Sequence, residues 1–219
     1  MDGKGSYLEG MDAGADDLIT KPFDEEHLAA RLRVAERILA LHEKLRAEAA
    51  YDRLTGIWNR AAIMDYLQRE LARAARQNFR IGLILADLDH FKRVNDTYGH
   101  PAGDKVLQEA AGRMKAALRP YDRIGRYGGE EFLIVASGCD GSEATALAER
   151  IRISIGQEAV SWSSQEIPMT SSLGVAISGN GREDTAALIA AADEALYRAK
   201  NGGRNRVEFN LENASQRQL

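Results

Sequence analysis

A nearly unbroken apolar run, Ile81-Gly-Leu-Ile-Leu-Ala86, stops at a carboxylate, Asp87. A strand that does not alternate polar with apolar residues is covered on both faces. The chain must therefore supply helices for two sides of a sheet. Ala61 to Gln77 reads as one such helix. Asp104 to Leu118 reads as another, with apolar residues at Val106, Leu107, Ala110, Ala111, Met114 and Leu118. Further helices are predicted from Asp89 to about Tyr98, from Ser142 to Ile155 and from Thr185 to Lys200, with a break at Gly99-His100-Pro101. A hairpin is predicted across Gly128-Gly129 and a strand near Met169 to Ile177. The alternation from Tyr51 to about Phe209 is that of an α/β or α+β domain.

Ahead of that domain, Glu25 to Ala50 holds no glycine or proline and is rich in strong helix formers. Its apolar residues Val34, Ile38, Leu41 and Leu45 form a heptad seam, although His42, Arg46 and Glu48 interrupt the pattern at the end. Two readings follow: an amphipathic helix lying on its own domain, or one strand of a parallel two-stranded coiled coil. The dimer is the expectation carried forward. Residues 1–24 are rich in glycine and aspartate and too few to bury a core alone. Residues 210–219 read as a loose polar tail.

Composition closes off other classes. With 44% hydrophobic and 28% charged residues among 219, the chain has the apolar content of a globular protein. Its apolar runs are too short to cross a bilayer, and Met1-Asp-Gly-Lys4 does not open a signal peptide. One cysteine, Cys139, excludes a disulfide framework and a cysteine-built zinc site. A net charge of −4 argues against coating nucleic acid. The expectation is a cytoplasmic protein without membrane or nucleic-acid partners.

Three carboxylates stand out. Asp87 ends the buried strand, where ligands of open sheets usually bind. Arg126-Tyr-Gly-Gly-Glu-Glu-Phe132 adds Glu130 and Glu131 beside a glycine pair that lets a phosphate approach the backbone. Successive side chains alternate across a strand, so one of the two glutamates points toward Asp87. An oxygen-only set without cysteine or a histidine pair suits magnesium, which prefers a few carboxylates, water and substrate phosphates. An isolated acidic hairpin would read as a surface turn, but the strand-end aspartate argues otherwise. Directly after Asp87, the free amides of a helix N-terminus around His90, Phe91 and Lys92, with the Lys92 charge, make an anion site. Asn95 and Asp104 could pair with the guanine edge. Taken alone, Asp104 reads as an N-cap and His100 as a loop residue.

These residues, in this order, resemble the GGDEF family of diguanylate cyclases across Tyr51 to Val207. The elements are Asp52-Arg-Leu-Thr-Gly-Ile-Trp-Asn-Arg60, Asp87-Leu-Asp-His-Phe-Lys92, Asn95-Asp-Thr-Tyr-Gly-His100 and Gly103-Asp104. After them come Arg126-Tyr-Gly-Gly-Glu-Glu-Phe132, Ser172-Leu-Gly-Val-Ala176, Ala192-Asp-Glu-Ala-Leu-Tyr-Arg-Ala-Lys200 and Gly203-Arg-Asn-Arg206. The resemblance implies an α+β fold, a central, mostly antiparallel sheet flanked by helices, with a coiled-coil stalk. It implies condensation of two GTP molecules into cyclic di-GMP with release of pyrophosphate. By position, Asp87, the Leu88 carbonyl, Glu130 and Glu131 would hold two magnesium ions, with manganese as a substitute, and Glu130 would also serve as base. Lys92 and the amides of His90 to Lys92 would hold the phosphates, as would Lys200 and Arg204, one turn apart at the end of the last helix. Asn95, His100 and Asp104 would meet the guanosine.

Each domain holds one GTP and acts on another, so a homodimer through the N-terminal helix is implied. Arg119-Pro-Tyr-Asp122 resembles the family's inhibitory product site, completed by Arg150; the plainer reading of Arg119 and Asp122 is a surface ion pair. A catalytically silent cyclic di-GMP receptor and a bare dimerisation module are the competing readings. Gly14-Ala-Asp-Asp-Leu-Ile-Thr-Lys-Pro-Phe23 resembles the close of a response-regulator receiver domain. The phosphate-accepting aspartate of that fold falls outside the segment, so phosphorylation control does not follow from it.

Overall fold

The computed structural model describes residues 9, 12–15, 17, 19, 21–22, 24–48, 50–179 and 184–210. The chain divides into two compact units, Met1–Ala49 and Ala50–Leu219. In the first, helix α1 spans Glu25–Glu48 and begins with Glu25 and Glu26 in its first turn, favourable for the helix dipole. Asp24 accepts the Glu26 amide at 2.8 Å, as an N-cap does. Val34 and Ile38 of the heptad seam are exposed, as are Leu32 and Leu39. The side chains of Leu41 and Leu45, residues 16, 18, 20 and 23 of the receiver-like segment and the tail beyond Asn210 lie outside the described residues.

The second unit is built on five strands. They are β1 (Ile81–Leu88), β2 (Arg123–Arg126), β3 (Glu131–Ser137), β6 (Ser171–Ile177) and β7 (Val207–Phe209), in the order β2-β3-β1-β6-β7. Every pairing is antiparallel except β6 with β7. This is the α+β arrangement expected. All of β1 is buried, as its composition demands. A separate ribbon, β4 (Val160–Trp162) with β5 (Gln165–Ile167), was not foreseen from the sequence. Its strands are too short to show a period.

Even-numbered β1 residues such as Ile84 and Ala86 join the core under α3 (Phe91–Tyr98), α4 (His100–Ala116) and α5 (Gly141–Gly156). Odd-numbered residues such as Leu83 and Leu85 face α2 (Arg60–Gln77) and α6 (Thr185–Asn201). Helix ends follow local chemistry. Asn59 caps α2 by accepting the Ala62 amide, and the left-handed Asn78 ends it. Asp140 and Glu143 form a reciprocal capping box on α5.

One boundary differs from the sequence reading by more than two residues. The break between α3 and α4 is Gly99 alone, at φ 84°, and α4 starts at His100 with proline in its first turn. A proline there removes only an amide the helix cannot use. Asp104 is therefore a helix residue, not an N-cap.

Candidate functional site

The ends of the two central strands are joined at one spot. Asp87 lies directly opposite Glu131 in the β1–β3 register, and the Leu88 amide donates to the Glu130 carbonyl at 3.3 Å. Opposite residues in an antiparallel pair share a face, so Asp87 and Glu131 both belong to the α2–α6 side of the sheet. The Glu131 side chain lies against Gly128 and lines the groove between α2 and α6 with Tyr127, Leu85 and Ile189. Glu130 sits in the turn itself.

A half-buried salt link holds the hairpin tip. Arg126 donates twice to the Gly129 carbonyl, from Nε at 3.1 Å and Nη2 at 2.8 Å, and its Nη1 lies 3.3 Å from both oxygens of Asp52. Asp52 also accepts from the Thr55 amide (2.9 Å) and hydroxyl (2.7 Å). Burial pulls the Asp52 carboxyl upward, but the Thr55 hydrogen bonds and the Arg126 charge outweigh it and hold it below the ordinary carboxylate range. This link ties the first turn of the domain to the backbone that carries Glu130.

The electrostatics of the strand end are of opposite sign. Burial pushes the Asp87 carboxyl above its usual range and the Asp89 charge adds to that, while Lys200 and Arg204 oppose it. Lys200 Nζ stands 2.8 Å from Asp87 Oδ2. Glu130 is likewise raised, first by burial and then by the negative charges of Asp87 and Glu131. Carboxylates that raise one another are relieved by a divalent cation. Among the described residues no three Asp, Glu, His or Cys side chains form a ready metal cage. The oxygens of Asp87 and Glu130 are hard donors of the kind a divalent cation takes, with water and phosphate oxygens completing its shell.

After Asp87 the chain turns directly into α3. His90 is left-handed at φ 57° and exposed, Phe91 is buried, and α3 begins there. Among the described residues the Phe91 and Lys92 amides donate to no acceptor, and the Lys92 side chain is exposed beside them. Asn95 on α3 is half-buried and its side chain rests on Gly103, where any Cβ would collide with the Asn95 carboxamide oxygen. The bare Gly103 therefore lets the Asn95 side chain pack on α4, where Asp104 follows and is exposed, with exposed His100 at the start of that helix.

Lys200 and Arg204 are not successive turns of one helix. α6 ends at Asn201, and Arg204 sits in the following loop at φ 63°. Both still converge on Asp87.

Elsewhere, Asp122 is buried and accepts the Arg119 backbone amide at 2.9 Å; no ion pair joins the two side chains among the described residues. Burial raises Asp122, against the Arg119 hydrogen bond and the charges of Arg119, Arg150 and Arg123. Arg150 is anchored from Nε to the Ala117 carbonyl at 2.9 Å. The surface ion pair is therefore not what the structure contains, and the three residues do gather in one place.

Two structural partners escaped the sequence reading. Asp52 and Arg126 are 74 residues apart, and neither has a local pattern that reveals the other. Asp89 read only as a helix start, yet it is a buried carboxylate accepting from Thr170, Ser172 and the Asn205 amide.

Residues 49–206 match the family model described as "Diguanylate cyclase, GGDEF domain". The chain is 36% identical over 215 residues to "Diguanylate cyclase DgcP" of Pseudomonas aeruginosa, covering 93% of this chain and 32% of that protein. It is 33% identical over 215 residues to "Response regulator PleD" of Caulobacter vibrioides, covering 94% of this chain and 47% of the relative. The chain thus spans about a third of one of these curated relatives and about half of the other. Among solved structures, the coiled coil and GGDEF domain of DgcB from Caulobacter crescentus, in complex with c-di-GMP, superposes with a TM-score of 0.73 at 34% identity, over 84% of this chain and 98% of that one. With the strand-end carboxylate and the Gly-Gly-Glu-Glu-Phe hairpin joined as described, the chain belongs to the GGDEF family of diguanylate cyclases.

Proposed function

We propose that this chain condenses two GTP molecules into cyclic di-GMP and two pyrophosphates, as a homodimer. The observation that carries the reading is the junction of Asp87 with Glu130 beside Lys200, Arg204 and the free amides of α3. Asp87, the Leu88 carbonyl and Glu130, with Glu131 next to them, would hold two magnesium ions. Bound magnesium would neutralise phosphate charge and make the attacking hydroxyl more acidic. Lys92, the His90–Lys92 amides, Lys200 and Arg204 hold the triphosphate. Asn95 and Asp104 pair with guanine, and His100 flanks the nucleoside.

In each half-reaction the 3′-oxygen of one GTP forms a bond to the α-phosphorus of the other. The bond from that phosphorus to the pyrophosphate leaving group breaks, and Glu130 accepts the hydroxyl proton. Two half-reactions close the ring. One domain offers a single nucleotide site, so two copies must face each other, and the open seam at Val34 and Ile38 supports pairing through α1. Product would inhibit at Arg119, Asp122 and Arg150, where charges already converge on a buried carboxylate. The front segment would be the close of a receiver domain, a reading supported by the match to a protein named as a response regulator. No helix among the described residues is long and apolar enough to cross a membrane, and the substrate suits the cytoplasmic location expected from the sequence.

The test is direct. Purified chain given GTP and magnesium should yield cyclic di-GMP and pyrophosphate, and Glu130→Ala should yield neither. Tight binding of product without turnover would instead favour the silent receptor. Arg119→Ala should keep turnover and lose inhibition by added product.

A further inference from the structure

The loop after α6 holds Arg204 in a backbone state that needs support. Gly203, Arg204 and Asn205 have φ of 113°, 63° and 45°. For arginine this left-handed region persists only where the surroundings impose it, whereas asparagine tolerates it more readily. Two groups hold Asn205, one at its backbone amide and one at its side chain. The carboxylate of Asp89, 8% exposed, accepts the Asn205 amide at 3.0 Å and is itself fixed by the hydroxyls of Thr170 (2.7 Å) and Ser172 (2.6 Å). Arg152 of α5 donates from Nη1 to the Asn205 side-chain oxygen at 2.9 Å, while its Nε pairs with Glu149 at 2.8 Å. The Arg204 amide closes onto the Ala199 carbonyl at 3.1 Å, tying the loop back to the helix that carries Lys200.

No cation pairs with Asp89 among the described residues; hydroxyls and one amide satisfy it. A buried charge kept this way is costly unless its hydrogen bonds are all made. We propose that Asp89 and Asn205 are positioning residues. The Asp89–Asn205–Arg152 brace keeps the loop left-handed, so that the Arg204 guanidinium is presented beside Lys200 to the outer phosphates of a nucleotide. The brace rests on the reading of this site as a GTP site.

The probe is 3′-deoxy-GTP, which lacks the attacking hydroxyl and so binds without condensing, compared with GMP, which lacks the outer phosphates. Calorimetric titration with magnesium on the whole chain should show that the unaltered protein favours 3′-deoxy-GTP. Asn205→Ala, which disfavours the left-handed backbone, should lose about tenfold of that preference. Asn205→Gly, which adopts the backbone freely and keeps the amide to Asp89, should recover most of it. Asp89→Ala should reproduce the loss while GMP affinity holds. Equal loss for both nucleotides, or an unchanged preference in Asn205→Ala, would overturn the brace while leaving the GTP reading intact. An unaltered chain that fails to prefer 3′-deoxy-GTP over GMP would overturn both.

Discussion

Lys200 and Asp87 meet at 2.8 Å, joining the last turn of α6 to the end of the central strand. The Asp87 side chain is only 10% exposed and the Lys200 side chain 32%, so the pair is screened less than a surface bridge. Lys200→Met should cost about 1–2 kcal/mol, because it strands a partly buried carboxylate. A denaturant midpoint equal to that of the unaltered chain would show that the pair contributes nothing.

Glu130 carries the opposite lesson. Its folded-state carboxyl lies above the ordinary value of 4.5, raised by burial and by the charges of Asp87 and Glu131. Ionising it therefore costs the fold stability as pH rises through that raised value, and costs nothing below the unfolded one. Glu130→Gln should melt higher than the unaltered chain at pH 7 in chelator. The gap should close as pH falls toward 4.5. A variant that melts lower at neutral pH would contradict the sign.

Arg126 holds the hairpin tip through the Gly129 carbonyl while pairing with Asp52. Lysine cannot reproduce two donors in a fixed fork. Arg126→Lys should lower the rate of cyclic di-GMP formation by about a hundredfold, since small misplacements of reacting groups are that costly. GTP affinity should remain near that of the unaltered chain. A large loss of affinity at unchanged rate would assign Arg126 to binding instead.

Gly103 has no room for a methyl group, because the Asn95 side chain occupies that space. Gly103→Ala should displace the Asn95 side chain, raise the KM for GTP about tenfold and narrow the preference for GTP over ATP. Steady-state kinetics with both nucleotides would measure it. Unchanged selectivity would remove Asn95 from base recognition.

The sequence was most readable where one residue's neighbours decide its state. The apolar run of β1 had to be covered on both faces, and the glycine pair had to turn. It was least readable where partners are distant or the segments short. Nothing local marks Asp52 as the mate of Arg126, or Asp89 as the acceptor for an amide over a hundred residues away. The β4–β5 ribbon and β7 are three residues each, below the length at which alternation can be seen. The start of α4 was misplaced because proline was read as a breaker, although the first turn of a helix accommodates it.

The order β2-β3-β1-β6-β7 puts both acidic segments on the innermost pair of strands. Rims of a sheet fray first, so amide exchange should loosen β2 and β7 long before it reaches β1 and β3. Evolution can then revise the periphery, and whatever attaches there, without retuning the chemistry at the centre.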